Sequence, residues 1–369
     1  MENVEMRFSV VDPLFWRGKK VFLTGHTGFK GGWLTLWLSS MGAEVTGYAL
    51  SPDTSPNLFN VININEIITH SCIGDIRDLS KMQSAMIAAK PDIVIHMAAQ
   101  PLVRYSYQYP VETYATNVMG TVHVLESARA IKSIKATVVV TTDKCYENKE
   151  WAWGYRENDA MGGHDPYSSS KGCAELVAAA YRNSFFSGPD SQNSIATARA
   201  GNVIAGGDWS ADRLIPDAIK AFESNQAVRI RNPLATRPWQ HVLEPLSGYL
   251  ILVQQLYSHG SKYSSGWNFG PQDDGNRSVK EVIELMIQQW GGSARWEQDG
   301  LEKPYEANLL KLECSKALSQ LGWGPKWSLE IAVRKTVEWQ KAFQRKEKML
   351  EFSLNQIKDF QKLLSREKL

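Results

Sequence analysis

The sequence predicts an α/β fold, a Rossmann-type doubly wound parallel sheet followed by a smaller C-terminal substrate-binding domain. Three observations predict it. A glycine-rich turn, Gly25-His26-Thr27-Gly28-Phe29-Lys30-Gly31-Gly32, stands between a strand-like run and a helix-like run. Apolar runs of strand length then alternate with helical stretches as far as about residue 200. Parallel strands need crossover connections, so this alternation is their signature. Beyond Asn202 the chain turns to Arg-, Trp-, Asp- and Pro-containing segments of loop-like composition.

Taken in order, residues 1–18 read as an irregular leader, 19–24 as a buried strand, 33–40 as a helix and 44–50 as a second strand. The glycines between them are spaced GxxGxxG, in the strand–turn–helix setting that dinucleotide binding needs. Glycines let backbone amides approach a pyrophosphate, and the helix N-terminus adds partial positive charge. A short strand ends at 71–76, a helix over 81–90 is stopped by Pro91, and 92–99 is a strand that enters the loop Ala98-Ala99-Gln100. A long helix over 110–131 carries Asn117 among apolar neighbours. Then come a strand at 136–140, a helix at 167–186 and a strand at 194–199. Arg229 to Pro233 and Thr236 to Val242 read as loops, 279–290 and 328–343 as helices, and 344–369 as a charged helical tail on the surface or against another subunit. The predicted division is 1–200 for nucleotide binding and catalysis, 201–343 mainly for substrate, and 344–369 for the tail.

The formal net charge of +2, with both signs mixed, supplies no reason to expect nucleic acid or a membrane as partner. No apolar run approaches the roughly 20 residues that span a bilayer. The first 20 residues show no secretory signal pattern. The four cysteines, Cys72, Cys145, Cys173 and Cys314, are scattered without CxxC spacing. That predicts reduced thiols, a cytoplasmic location and no metal site.

Two pieces carry reaction chemistry. Thr141-Thr142-Asp143-Lys144 follows the strand at 136–140 and so lies at the carboxyl edge of the sheet, where open α/β folds bind ligands. Tyr167 and Lys171 are four residues apart and share one helix face. A lysine beside a phenol favours the phenolate, a base near neutral pH. The arginines after residue 212, with Trp239, suit a diphosphate and a flat base.

With the GxxGxxG turn at 25–31, the loop at 98–100, Thr141-Thr142-Asp143 and Tyr167-xxx-Lys171 in order, the chain resembles the extended short-chain dehydrogenases/reductases. More narrowly, TGHTGFKGGWL at 24–34, AAQPLVR at 98–104, TTDKCYEN at 141–148 and GGDW at 206–209 are similar to the CDP-glucose 4,6-dehydratase family. The likeness runs from about residue 15 to 340. Related dehydratases carry Asp-Glu where this chain has Asp143-Lys144.

The resemblance implies a lyase that uses NAD to oxidise C4 of CDP-glucose, eliminates water across C5 and C6, and returns hydride to C6. The alternatives are another nucleotide-sugar 4,6-dehydratase or a nucleotide-sugar epimerase. It makes Tyr167 the base at the 4-hydroxyl, with Thr142 bonded to that hydroxyl, Lys171 supporting the tyrosine and Asp143 the acid at C6. Lys144 is either the C5 base or an electrostatic stabiliser. Cofactor contacts fall to Gly25, Thr27, Gly28, Phe29, Lys30, Gly31, Ser51, Asp75, Ile76, Ala98, Gln100, Asn117 and Thr141, with Tyr167 and Lys171. Ser51 stands where NAD enzymes often place an acid, and no Arg there holds a 2′-phosphate, which favours NAD. Asn202 and Arg213 fall near the diphosphate, and Arg229, Arg237 and Trp239 around the nucleotide. The helices near 110–131 and 167–186 match those that pair in dimers of the superfamily, and the tail leaves a tetramer open.

Overall fold

The computed structural model describes residues 10–188, 192–300 and 307–366, so residues 1–9 of the expected leader lie outside it. The strands in chain order are β1 (Lys20–Thr24), β2 (Glu44–Ala49), β3 (His70–Ile73), β4 (Ile93–His96), β5 (Ala136–Val140) and β6 (Ser194–Ala200). Then follow β7 (Asn202–Ile204), β8 (Ala227–Ile230), β9 (Thr236–His241), β10 (Gly266–Phe269), β11 (Asn276–Ser278) and β12 (Arg295–Gln298). Seven of them form one sheet in the order β3-β2-β1-β4-β5-β6-β10. Every pairing in it is parallel. This is the predicted doubly wound sheet. The chain order reverses between β1 and β4, and a crevice opens at their carboxyl ends.

The helix Phe29–Ser40 is apolar on nearly all faces, with residues 31–38 buried. One side lies on the sheet, and the last helix, Met349–Arg366, covers the other. Trp37 meets Phe360 edge-on at 5.9 Å, and Phe360 meets Trp327 at 5.0 Å. Ile357, Phe360 and Leu364 are buried, so the charged tail is an amphipathic helix docked on this chain's own core. Burying Phe360 alone contributes about 2–3 kcal/mol.

Two small sheets stand beyond β6. One has the order β11-β9-β7, the other pairs β12 with β8. The segments at 229–233 and 236–242, read from sequence as loops, supply β8 and β9. Their partners lie far along the chain, as in Val228 opposite Trp296, so no local period announces them. Helix Leu243–His259 also escaped the sequence reading. It is buried along most of its length, between β5 and β6 on one side and the stretch around Trp323 on the other. A helix apolar all round has no 3.6-residue stripe to read.

Candidate functional site

The crevice is held shut at its base by one hydroxyl. Thr24 Oγ1 lies 2.7 Å from His96 Nδ1 and accepts from the backbone NH groups of Met97 and Ala98 at 3.0 and 3.1 Å. That fixes the 98–100 loop against the glycine turn. Gly25 has φ +82°, and a Cβ there would stand 2.9 Å from Ala98 N. At Gly31 a Cβ would meet Gly25 O at 2.0 Å, so the helix can start this close to β1 only with glycine. At Gly28 the single neighbour is Gly25 O at 3.5 Å. The open side of Gly28 and the first NH groups of helix Phe29–Ser40 form a cradle that fits a pyrophosphate. Thr27 is tied to Leu50 O at 2.8 Å, and Ser51 is exposed just beyond it.

Asp75 and Ile76 sit after β3. Arg77 grips both carboxyl oxygens of Asp75, at 2.6–3.1 Å, and holds that carboxyl below its usual range. Asn117 lies in a π-helical turn, Ala115–Met119, that joins helices Pro110–Tyr114 and Gly120–Arg129. Such turns mark functional positions. Its amide accepts from Gln100 N at 2.8 Å and donates to Gln100 O at 3.0 Å and Ser170 Oγ at 2.9 Å. Asn117 therefore pins the 98–100 loop to the Tyr167–Lys171 helix. The Gln100 side chain turns to Thr113 and to Leu102 N.

β5 and helix Pro166–Phe185 bring the predicted reaction residues together. Thr142 Oγ1 donates to Asp143 Oδ1 at 2.9 Å, and Thr142 is close enough to the Tyr167 phenol to pull its pKa down. Asp143 is 1% exposed, and its Oδ2 has no partner among the described residues. Burial raises its pKa against the pull of Lys144, Thr142 and Arg237. The carboxyl therefore keeps its proton to higher pH than a free aspartate. Lys144 is half-buried, its Nζ 6.0 Å from the Tyr167 ring centroid. Lys171 Nζ donates to Val140 O at 3.2 Å and is lowered to about 8 by burial, which Glu175 opposes. The phenol does not behave as the Tyr/Lys spacing predicts. Burial pushes Tyr167 up to about 12, with Thr142 and Arg213 only partly offsetting it. The spacing is right, but in this chain alone the lysine's hydrogen bond goes to the strand carbonyl.

Lys30 joins this cluster from the glycine turn. Burial, then Arg213 and Lys171, lowers it to about 7, while Asp143 pulls the other way. Arg213 Nη1 is 3.1 Å from Asp208 Oδ2, and Arg237 is buried close enough to Asp143 to lower it. Asn202 opens β7 beside Trp239. Two residues expected around the nucleotide do not join this cluster. Arg229 is 74% exposed and paired with Glu297 at 3.0 Å, so the structure does not bring it to the cluster. Trp239 is buried in the smaller core, its Nε1 donating to Arg277 O at 3.0 Å, and offers no open stacking face.

Sequence reasoning missed the layer beneath. Glu175, one turn after Lys171, accepts from Thr141 Oγ1 at 2.5 Å, Thr197 Oγ1 at 2.7 Å and Arg199 Nη2 at 2.7 Å, all buried. Burial pushes this carboxyl up, but Arg199 outweighs it and holds it below the usual range. Arg199 continues to Tyr146 OH at 2.7 Å. The legible signals were an acid at the next i+4 position and an arginine inside the apolar run of β6.

Three imidazoles, those of His26, His96 and His241, are buried. Burial lowers His26 to about 4 and His96 and His241 to about 3, with charged lysines assisting at the latter two. The unfolded chain binds these protons near pH 6.5 and the folded chain only near 3–4. Stability from them is present above pH 6.5 and lost as pH falls, on the order of 3 kcal/mol or more each when fully expressed. The melting temperature should drop continuously from pH 7 to pH 5, and a flat value over that interval contradicts neutral buried histidines.

The family model described as GDP-mannose 4,6 dehydratase matches residues 22–336. A CDP-glucose 4,6-dehydratase of Salmonella typhimurium is 55% identical over 360 residues, which is 97% of this chain and 100% of its own length. The dTDP-D-glucose 4,6-dehydratase of Homo sapiens is 26% identical over 332 residues, 87% of this chain and 89% of its own. Among solved structures, a dTDP-glucose 4,6-dehydratase from Bacillus anthracis in complex with NAD superposes with TM-score 0.73 at 22% identity, covering 90% of this chain and 100% of that one. A UDP-glucose 4-epimerase from Thermotoga maritima with UDP-glucose gives TM-score 0.75 at 20% identity, covering 88% and 99%. Together with the glycine cradle and the Thr142, Asp143, Tyr167 and Lys171 cluster, these likenesses mean that the chain belongs to the GDP-mannose 4,6-dehydratase family, among the extended short-chain dehydrogenases/reductases.

Proposed function

We propose that this chain is an NAD-dependent CDP-glucose 4,6-dehydratase, which converts CDP-D-glucose to CDP-4-dehydro-6-deoxy-D-glucose and water. The observation that carries the reading is Asp143: a buried carboxyl with raised pKa and a free Oδ2, beside Thr142 and within the same cluster as Tyr167. Loss of water needs such an acid, and epimerisation does not. The chain's similarity to the Salmonella typhimurium CDP-glucose 4,6-dehydratase supports the nucleotide.

Bound at the glycine turn, NAD supplies a hydride acceptor for C4 and, once reduced, a hydride donor for C6. Thr27, Gly28 and Phe29 would hold its pyrophosphate, in a turn whose close packing Gly25 and Gly31 permit and from which Lys30 reaches the reaction cluster, with Ser51, Asp75 and Ile76 towards the adenosine and Ala98, Gln100, Asn117 and Thr141 along the rest. Tyr167 accepts the proton of the sugar 4-hydroxyl, which Thr142 orients. A tyrosine at about 12 needs nearby positive charge to ionise near neutral pH. Lys171 supplies it. The 4-keto group acidifies C5, and Lys144, at the Asp143 end of the crevice, either takes the C5 proton or stabilises the enolate left when another base takes it. Asp143 protonates the departing C6 hydroxyl. Arg213, Arg237 and Asn202 hold the anionic part of the substrate.

Exposed apolar side chains on the helices at 110–129 and 166–185, Val111 at 81% and Leu176 at 59%, support a homodimer through these helices. No helix of the described residues is long and apolar enough to cross a membrane. With the scattered free cysteines, that supports a cytoplasmic setting.

Incubation with CDP-, dTDP- and GDP-sugars tests the reading. Alkali-induced absorbance of a 4-keto-6-deoxy sugar should appear with CDP-glucose. A response confined to dTDP-glucose would overturn the nucleotide assignment, and epimerised sugar without water loss would overturn the reaction.

A further inference from the structure

Helix Pro166–Phe185 is stitched to the end of β5 by two neighbouring bonds. Lys171 Nζ donates to the carbonyl of Val140 at 3.2 Å, and one turn later the Glu175 carboxylate accepts from the hydroxyl of Thr141 at 2.5 Å. Consecutive strand residues are thus gripped by helix residues four apart, which share one face at Cβ separations of about 5–6 Å. Glu175 is itself clamped from β6, its other oxygen accepting from Thr197 Oγ1 and Arg199 Nη2, both at 2.7 Å. Arg199 Nη1 donates in turn to Tyr146 OH at 2.7 Å and to Glu157 O at 3.0 Å, and Tyr146 OH donates to Asn268 Oδ1 of β10 at 2.7 Å. Glu175 and Arg199 are 5% and 4% exposed. A buried ion pair is a poor device for stability, since apolar side chains of the same volume often hold a core as well or better. This pair fixes a negative charge one turn behind the lysine of the reaction cluster.

We propose that Glu175 is a positioning residue for Lys171: it ties the Tyr167–Lys171 helix to Thr141 and holds a fixed negative charge one turn behind the Lys171 ammonium. This rests on the dehydratase reading, in which Lys171 supplies the positive charge that lets Tyr167 ionise. Burial works against that charge, lowering Lys171 to about 8, and Glu175 is the largest influence in the other direction. The other titratable groups that face Lys171 are Cys145 after β5, Lys30 of the glycine turn and His96 at the end of β4. Burial pushes the Cys145 thiol well above its usual range, and burial keeps His96 neutral, so neither is an anion near neutral pH. Lys30, when charged, repels Lys171. Glu175 is therefore the one anion among these groups. It faces Thr141, Thr197 and Arg199 across the helix–sheet contact and Arg182 on its own helix.

The test is the stopped-flow rate at which CDP-glucose reduces bound NAD in the full chain, a step that does not use Asp143, taken between about pH 6 and about pH 9. Wild-type protein that forms no 4-keto-6-deoxy sugar counts against the dehydratase reading alone. In Glu175→Gln the side-chain carbonyl still accepts from Thr141, so the tie is kept and the charge is lost. The alkaline fall of the reduction rate should move to lower pH by about 1 or more. At about pH 8 the rate should drop about 5- to 10-fold, while at about pH 6 the rate, and KM throughout, stay near wild type. A purely structural residue would lower the rate alike at every pH. Glu175→Asp keeps the charge and should return the alkaline limb towards its wild-type place. Glu175→Gln leaves the Arg199 guanidinium buried without its carboxylate, so the double variant Glu175→Gln/Arg199→Met, which removes both charges, is measured beside it and should show the same displaced limb. Thr141→Val cuts the tie and spares the charge, and reduction should slow about 10-fold at every pH with the limb unmoved. An alkaline limb at the wild-type pH in the variants without the carboxylate, or a wild-type rate in Thr141→Val, overturns the proposal.

Discussion

Tyr167→Phe lowers turnover by about 10³-fold while the protein still binds NAD and CDP-glucose, within the range for removing a positioned general base. The ring is 7% exposed and stays packed, so the fold loses only the hydroxyl. The defect falls on the first step. Without a base for the 4-hydroxyl proton, hydride leaves C4 only slowly, and reduced nicotinamide does not accumulate. A stopped-flow record of nicotinamide absorbance checks this. Near-normal turnover would remove Tyr167 from the mechanism, and normal reduction followed by a stall would move its role to a later step.

Asp143→Asn gives the complementary failure. The amide is nearly isosteric, and the Thr142 hydroxyl can still donate to its carbonyl in place of Oδ1. Burial, the largest influence on Asp143, favours a neutral group, so the variant should fold with unchanged stability. What is lost is the proton for the C6 hydroxyl. Oxidation at C4 should proceed, water loss should slow by about 10²- to 10³-fold, and the reduced cofactor should accumulate on the protein. The sign of the pH dependence follows from the same burial. Wild-type elimination needs Asp143 protonated, and its raised pKa keeps the proton to higher pH than an ordinary carboxyl. The rate of that step should therefore fall as pH rises through the raised value, and the Asp143→Asn variant should lack this limb. Product formed at the normal rate, with no reduced nicotinamide, would show that another group is the acid.

Several features were legible because they are local. The turn from Gly25 to Gly31 declares itself by spacing, since close backbone packing admits no Cβ at Gly31. β5 and the helix after Asp165 follow from apolar runs and a capped helix start, with the Asp165 side chain accepting from Ser168 N. Thr142, Asp143, Tyr167 and Lys171 then fall at the sheet's carboxyl edge, because a parallel sheet places every strand end there.

The remaining features depended on contacts between distant parts of the chain. Arg229 and Trp239 look alike in sequence as residues for an anionic, aromatic ligand, yet β8 turns one to solvent and the smaller core encloses the other. The tail helix reads as charged, but Trp37 and Trp327 await its apolar face. The acid–base properties show the division most clearly. The spacing of Tyr167 and Lys171 announces a pair, whereas burial sets the phenol near 12 and the lysine near 8. The sequence by itself determined the fold class, the glycine turn and the candidates for the chemistry, Thr142, Asp143, Tyr167 and Lys171. Only the tertiary structure decided the direction in which burial shifts them and their buried neighbours Glu175 and Arg199, because desolvation and pairing depend on what the folded chain packs around each group.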